Sequence, residues 1–337
     1  MRRTTGALAA LAIVLLHGGN GLAHDPVPAN VTFARDIRGL LTAHCTSCHA
    51  TGGSAPMPLT TYEEVRSRGR AIRDQILTRR MPKWHAARGY GAFVNDAALT
   101  PYEQALLISW IDGGMPEGTP RGVAAARPAA VLAPRADTTN SGTVQVIVPA
   151  RADVARAADS NLRWITGWTF APGDRLITAA VVSVDGVPAV TWVAGDRPTT
   201  LPAGIAFRSG NRIRVDVRRR AATEYEEPFV PRRSVLTLLT ETSPPARRAW
   251  TEQIACGALR AGPPADLVAV RPLLDRREAR LSLARPGAPA TMVGWFRDFD
   301  PLYPRTYWLV RPADFSADAR LLGDGPCRIE LTLVATR

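Results

Sequence analysis

Hydrophobic residues recur at helical spacing in the first third of this sequence and in short β-type runs beyond it, so one fold class cannot serve the whole chain. Phe33, Ile37, Leu40 and Leu41 line one face of a predicted helix over 33–44. Val65, Ile72, Ile76 and Leu77 do the same over 61–79. Thr100-Pro101-Tyr102-Glu103 has the form of a capping box with proline at the first helical position. It opens a third helix carrying Leu106, Leu107, Trp110 and Ile111, which stops at Gly113-Gly114. Residues 118–141 are rich in Ala, Pro, Arg and Gly without period and read as a linker. After it come Val144–Val148, Leu176–Val184, Ile213–Val217, Val235–Leu239, Leu267–Val270, Tyr307–Val310 and Ile329–Val334, separated by Pro and Gly turn signals. That is the pattern of antiparallel β-sandwiches. Ser243-Pro244-Pro245 divides the region, which predicts one sandwich over 142–243 and another over 244–337.

The N-terminus reads as an export signal over 1–23. Arg2 and Arg3 precede an apolar core over 7–16, and Gly21-Leu22-Ala23 supplies small residues for cleavage. The mature chain would begin at His24 in the periplasm, where disulfides and covalent cofactors form. Cys256 and Cys327 are then expected to pair with each other.

Cys45-Thr46-Ser47-Cys48-His49 matches C-x-x-C-H, the spacing for covalent haem c attachment. Two thiols about one helical turn apart can bond the two vinyl groups, and His49 then stands under the iron as proximal ligand. A thioredoxin-like pair would need a βαβ setting, which is absent from the pattern. A zinc site would have to recruit His44 and His85. Met81, between the second and third helices, is the expected distal ligand, with His85 as the alternative and Met57 and Met115 as weaker candidates.

Three stretches together carry a family resemblance: Val31–Ile37, Cys45–His49, and Arg79-Arg80-Met81-Pro82-Lys83-Trp84-His85-Ala86. They resemble the cytochrome c module of a bacterial two-part family. In that family the module is fused to a copper type II, ascorbate-dependent monooxygenase-like region similar to peptidylglycine hydroxylating monooxygenase. Ile165–Gly173, Trp192–Asp196 and Val270-Arg271-Pro272 look like landmarks of the copper region. The resemblance implies an α + β multidomain chain: a class I-like, N-terminal all-α cytochrome c domain over 24–117, then two antiparallel, jelly-roll-like β-sandwich domains.

The resemblance also implies copper ligands near Thr178-Ala179, Asp216, Leu273 and Asp275, but none of these is a histidine. All five histidines lie at or before residue 85, and Met292 is the only methionine beyond Met115. Copper sites of this type need several imidazoles, so no copper is expected in the β-region. His24, exposed by cleavage, could still bind copper through its amine and ring.

Residues 119–337 hold thirty basic and twenty-one acidic side chains, so this part could dock an acidic redox partner. Arg218-Arg219-Arg220 and Arg232-Arg233 are the densest clusters. They read either as such a docking patch or as a solvated face neutralised by Glu224, Glu226 and Glu227. An exported chain without a basic–aromatic reader motif is not expected to bind nucleic acid. Peripheral association with a membrane complex is compatible with the charge.

The expected function is single-electron transfer by one haem, with the β-region as a docking or assembly platform. The rivals are a haem-linked oxidoreductase or monooxygenase whose β-region holds substrate or copper, and a structural subunit with a relic haem.

Overall fold

The computed structural model describes residues 30–119, 141–158, 163–224, 226, 228–260, 262–315 and 318–336. The export signal, His24 and linker residues 120–140 lie outside them. No helix among the described residues is long and apolar enough to cross a membrane.

Strand accounts for 42% of the chain and helix for 14%, which overturns the expected N-terminal all-α domain. Among the described residues there are four short α-helices: α1 (Arg38–His44), α2 (Tyr62–Arg66), α3 (Gly69–Leu77) and α4 (Pro101–Asp112), with a π-helical turn, Phe33–Ile37, ahead of α1. The helix predicted over 61–79 is therefore two. The expected capping box forms, Thr100 with Glu103 on α4, and the structure adds a second, Thr61 with Glu64 on α2. The helices share a small core around Phe33, Ile37, Leu41, Val65, Leu107 and Trp110.

Residues between α3 and α4 form no helix and join the β-region instead. Ala86 bridges Phe296 and Phe93 bridges Leu309. The Val94 amide donates to the Trp308 carbonyl at 2.8 Å. Trp84, Ala86 and Phe93 are buried in a core built mainly from the last strands. The physical reason for the correction lies here. Short helices cannot cover these aromatic side chains, so the loop buries them against the sheets.

The first strands are β1 (Ser141–Val148), β2 (Val154–Ala158), β3 (Trp164–Ala171), β4 (Ile177–Val184), β5 (Val187–Val193), β6 (Thr199–Thr200), β7 (Ile205–Arg208), β8 (Arg212–Arg219) and β9 (Ser234–Glu241). They continue with β10 (Arg247–Ala255), β11 (Ala265–Leu273), β12 (Ala279–Arg285), β13 (Ala288–Phe296), β14 (Tyr307–Phe315), β15 (Arg320–Gly323) and β16 (Arg328–Ala335). All seven runs singled out in the sequence lie within or overlap strands.

One sheet crosses the boundary expected at 243–244. A nine-stranded sheet in the order β1-β9-β3-β7-β10-β16-β11-β14, with β6 on β3, runs through both halves. The four-stranded sheet β2-β8-β4-β5 and the three-stranded sheet β13-β12-β15 complete the β-region. The halves are joined where β7 and β10 pair in parallel, with Ala206 opposite Arg248 and Phe207 opposite Ala249. The chain turns at Ser243-Pro244-Pro245, and β10 then fills the free edge of β7 instead of starting a detached sheet.

Trp168, Phe170, Trp192 and Phe207 dominate one core, and Phe296, Tyr307 and Phe315 the other. Cys256 and Cys327 form the expected disulfide, with Cα atoms 5.3 Å apart, beside the paired ends of β10 and β16.

Candidate functional site

The C-x-x-C-H segment leaves the C-terminus of α1 as a tight turn. The amides of Cys48 and His49 donate to the Cys45 carbonyl at 3.1 and 2.9 Å. Cys45 and Cys48 are not bonded to each other. Burial, with Cys48 adding to it, pushes the Cys45 thiol up to about 12. A thiol-exchange pair needs the opposite, a lowered thiol pKa.

His49 is buried, and burial lowers its basicity while a hydrogen bond to the Met57 carbonyl partly restores it. That bond, 2.9 Å from Nδ1, decides the tautomer. A carbonyl only accepts, so Nδ1 carries the proton and Nε2 keeps its lone pair for a metal. Two unpaired thiols and a neutral imidazole with Nε2 available are the donor set that haem c requires, so these residues fit that group.

Among the described residues the other histidines, His44 and His85, are engaged elsewhere. His44 Nδ1 lies 3.2 Å from the Ala97 carbonyl, and its Nε2 3.3 Å from Glu103. His85 sits in the second β core, its ring 5.3 Å from Phe299 and its Nδ1 3.4 Å from the Tyr307 hydroxyl. Met81 lies in the partly exposed loop after α3, and its amide donates to the Gln75 carbonyl at 3.2 Å. Of the two distal candidates, Met81 is the one whose side chain is not packed into the second β core.

Burial lowers the His85 pKa to about 4, with Arg305 and Lys83 lowering it further and Asp300 opposing. In the unfolded chain a histidine titrates near 6.5. As pH falls below that value, the unfolded state takes up the proton first. The stability His85 allows at neutral pH is therefore lost between about 6.5 and 4, by about 3 kcal/mol. Urea unfolding of wild type and His85→Phe at several pH values checks this. Parallel stability curves would count against it.

The β-region surrounds the motif with arginines, of which Arg197 and Arg305 carry no signal in the sequence and Arg220 belongs to the 218–220 cluster. Arg197 Nη2 donates to the Ala43 carbonyl at 3.3 Å, Arg220 Nη2 to the Ser54 carbonyl at 3.3 Å, and Arg305 Nε to the Lys83 carbonyl at 2.7 Å. These carbonyls lie before the motif, after it and beside Met81. Arg305 also holds the Ala194 carbonyl at 2.7 Å and pairs with Asp196. Gly195, at φ 89°, lies between those two residues, and a methyl group there would sit 2.6 Å from Cys48 Sγ. Only glycine suits both the backbone angle and that closeness.

Two members of the Arg218–Arg220 cluster are taken up in ion pairs. Arg219 pairs with Asp153 and Asp174, and Arg220 with Glu226. Arg218 donates to the Pro301 carbonyl at 3.1 Å.

The positions at which the resemblance implies copper ligands lie on strands or just after one. Thr178 is buried and donates to the Arg218 carbonyl at 3.4 Å, and Asp216 takes a two-pronged contact from Arg214. Leu273 ends β11, and Asp275 follows it. Among the described residues no three His, Cys, Asp or Glu side chains gather as a metal site.

No protein-family description and no curated protein matches this chain. Among solved structures, the major capsid protein P2 of bacteriophage PM2 aligns with 58% of this chain and 98% of its own, at 11% identity and a TM-score of 0.31. The structure of Sulfolobus Turreted Icosahedral Virus aligns with 58% of this chain and 89% of its own, at 9% identity and 0.26. A conserved protein of unknown function from Pseudomonas aeruginosa covers 58% of this chain and 81% of its own, at 12% identity and 0.20. Likenesses this low transfer neither fold nor function.

Proposed function

We propose that this chain is an exported single-electron carrier with one haem c, bonded through Cys45 and Cys48. His49 is its proximal ligand and Met81 its distal one. The observation that carries the reading is the His49–Met57 hydrogen bond behind a C-x-x-C-H turn, because it leaves the Nε2 lone pair of the imidazole for a metal. When bound, haem c supplies a one-electron Fe(II)/Fe(III) couple.

The protein's own part is positioning. The Met57 carbonyl fixes the His49 ring and its proton. The helical core around Phe33 and Trp110 seats α1, whose end carries Cys45. Arg197, Arg220 and Arg305 hold the segment against the β-region, which shields the motif from water on that side.

The β-region serves as platform, and we read it as a relative of the copper monooxygenase region that has no histidine left to hold copper. Its positive surplus suits an acidic redox partner. Arg163, Arg208 and Arg248 line a cleft of about 310 Å³ with Trp164, a cationic place for such a partner to meet.

The test is metal content and redox behaviour of the full chain from a haem-maturing periplasm. We expect about one iron per chain, no stoichiometric copper, and a reversible one-electron titration. Stoichiometric copper, or no haem at all, overturns the reading.

A further inference from the structure

We infer that Arg305 is the positioning residue that holds the Met81 loop across from the attachment cysteines, keeping the sixth coordination position of the iron closed. The inference rests on the haem reading above.

Three observations converge on this side chain. Its residue is 7% exposed, so its charge has left bulk water and depends on its partners. The guanidinium spends separate N–H groups on three acceptors: Nε on the Lys83 carbonyl, Nη2 on the Ala194 carbonyl and Nη1 on Asp196. The first acceptor lies two residues after Met81. The other two flank Gly195, whose α-carbon faces Cys48 so closely that a methyl group would stand 2.6 Å from the sulfur and 3.3 Å from Arg305 Nη2. One planar side chain therefore spans the loop that offers the distal ligand and the turn beside the Cys48 thiol.

The surroundings strengthen the loop's attachment. Lys83 pairs with Asp300 at 3.0 Å and stands 5.1 Å over the Tyr303 ring. The Arg305 amide in turn donates to the Tyr303 carbonyl at 2.8 Å. The Met81 amide donates to the Gln75 carbonyl at 3.2 Å, and Lys83 is the next anchor along the loop.

Lysine cannot replace this residue. An ammonium keeps the charge but lacks the flat fork that reaches acceptors in three directions. Losing hydrogen bonds to a charged group makes an open loop about tenfold more populated.

The experiment compares ferrous full-length wild type, R305K and M81A by carbon monoxide titration, with haem content measured on each. Ferric spectra are read for the weak methionine-to-iron absorption. We expect wild type to exclude carbon monoxide and M81A to bind it. R305K should keep its haem, bind carbon monoxide with about tenfold greater occupancy than wild type, and lose much of the methionine absorption. A merely structural role would not move that spectrum.

R305K spectra identical to wild type would overturn the inference, as would carbon monoxide exclusion by M81A. If R305K does not fold, G195A gives the second reading, because its methyl group pushes the 194–196 turn off Cys48. Unchanged carbon monoxide exclusion in G195A then overturns the inference. Wild type without covalent haem is a different result, because it defeats the haem reading itself.

Discussion

Replacing both Cys45 and Cys48 with serine is expected to abolish covalent haem, so that denaturing gels of the exported protein lose their haem stain completely. The thiols are unpaired, three residues apart and next to His49, and serine cannot form a thioether. The two other cysteines provide the control. Cys256 and Cys327 are bonded to each other beside β10 and β16, remote in sequence from the motif. Replacing them is expected to lower stability by about 2–5 kcal/mol while leaving haem attached. Retained haem stain in the Cys45/Cys48 double variant would falsify the assignment of the motif.

The second large effect concerns folding. Arg271 on β11 stands directly opposite Glu330 on β16, and Gln253 on β10 faces the same carboxylate. The Arg271 and Glu330 side chains are 4% and 6% exposed, and Arg271 Nε donates to Glu330 Oε1 at 2.9 Å. Arg271 Nη2 donates to Glu330 Oε2, and Gln253 Nε2 adds a third bond to the carboxylate at 3.1 Å. Removing one partner strands a buried charge. Arg271→Met is therefore expected to cost about 3–5 kcal/mol in urea unfolding. Combining it with Glu330→Leu should recover much of that loss, because no charge then remains without its partner. A single variant within about 1 kcal/mol of wild type would show that water reaches the pair.

Arg271 also illustrates how far sequence reading carried. It stood out only as part of a family landmark, Val270-Arg271-Pro272, and the structure gives it a packing role instead. Gly195 sat in another landmark, Trp192–Asp196, and its importance appears only when Cys48 is seen beside it. Arg305 had no signal. In a chain with one lysine and many arginines, a single arginine is unremarkable, and its acceptors Lys83 and Asp196 lie 222 and 109 residues away.

The N-terminal segment shows the opposite lesson. Its last helix begins at the Thr100 capping box as expected, yet the all-α domain expected over 24–117 is absent. Trp84 and Phe93 fall between helices, carry no period, and are buried by strands at the other end of the chain.

What the sequence determined alone is local. It set the C-x-x-C-H spacing, the capping box at Thr100, the apolar faces of α1 and α4, the strand runs, and the lack of any histidine beyond residue 85. Each of these is written within a few neighbouring residues, through bond geometry and side-chain type. The tertiary structure alone decided which surface covers which: the parallel join of β7 to β10 that makes one sheet of two halves, the docking of the 84–94 loop on the β-region, and the arginines around the motif. An apolar stripe states that it must be buried but not by what, and a hydrogen bond across a hundred residues leaves no mark on either local pattern.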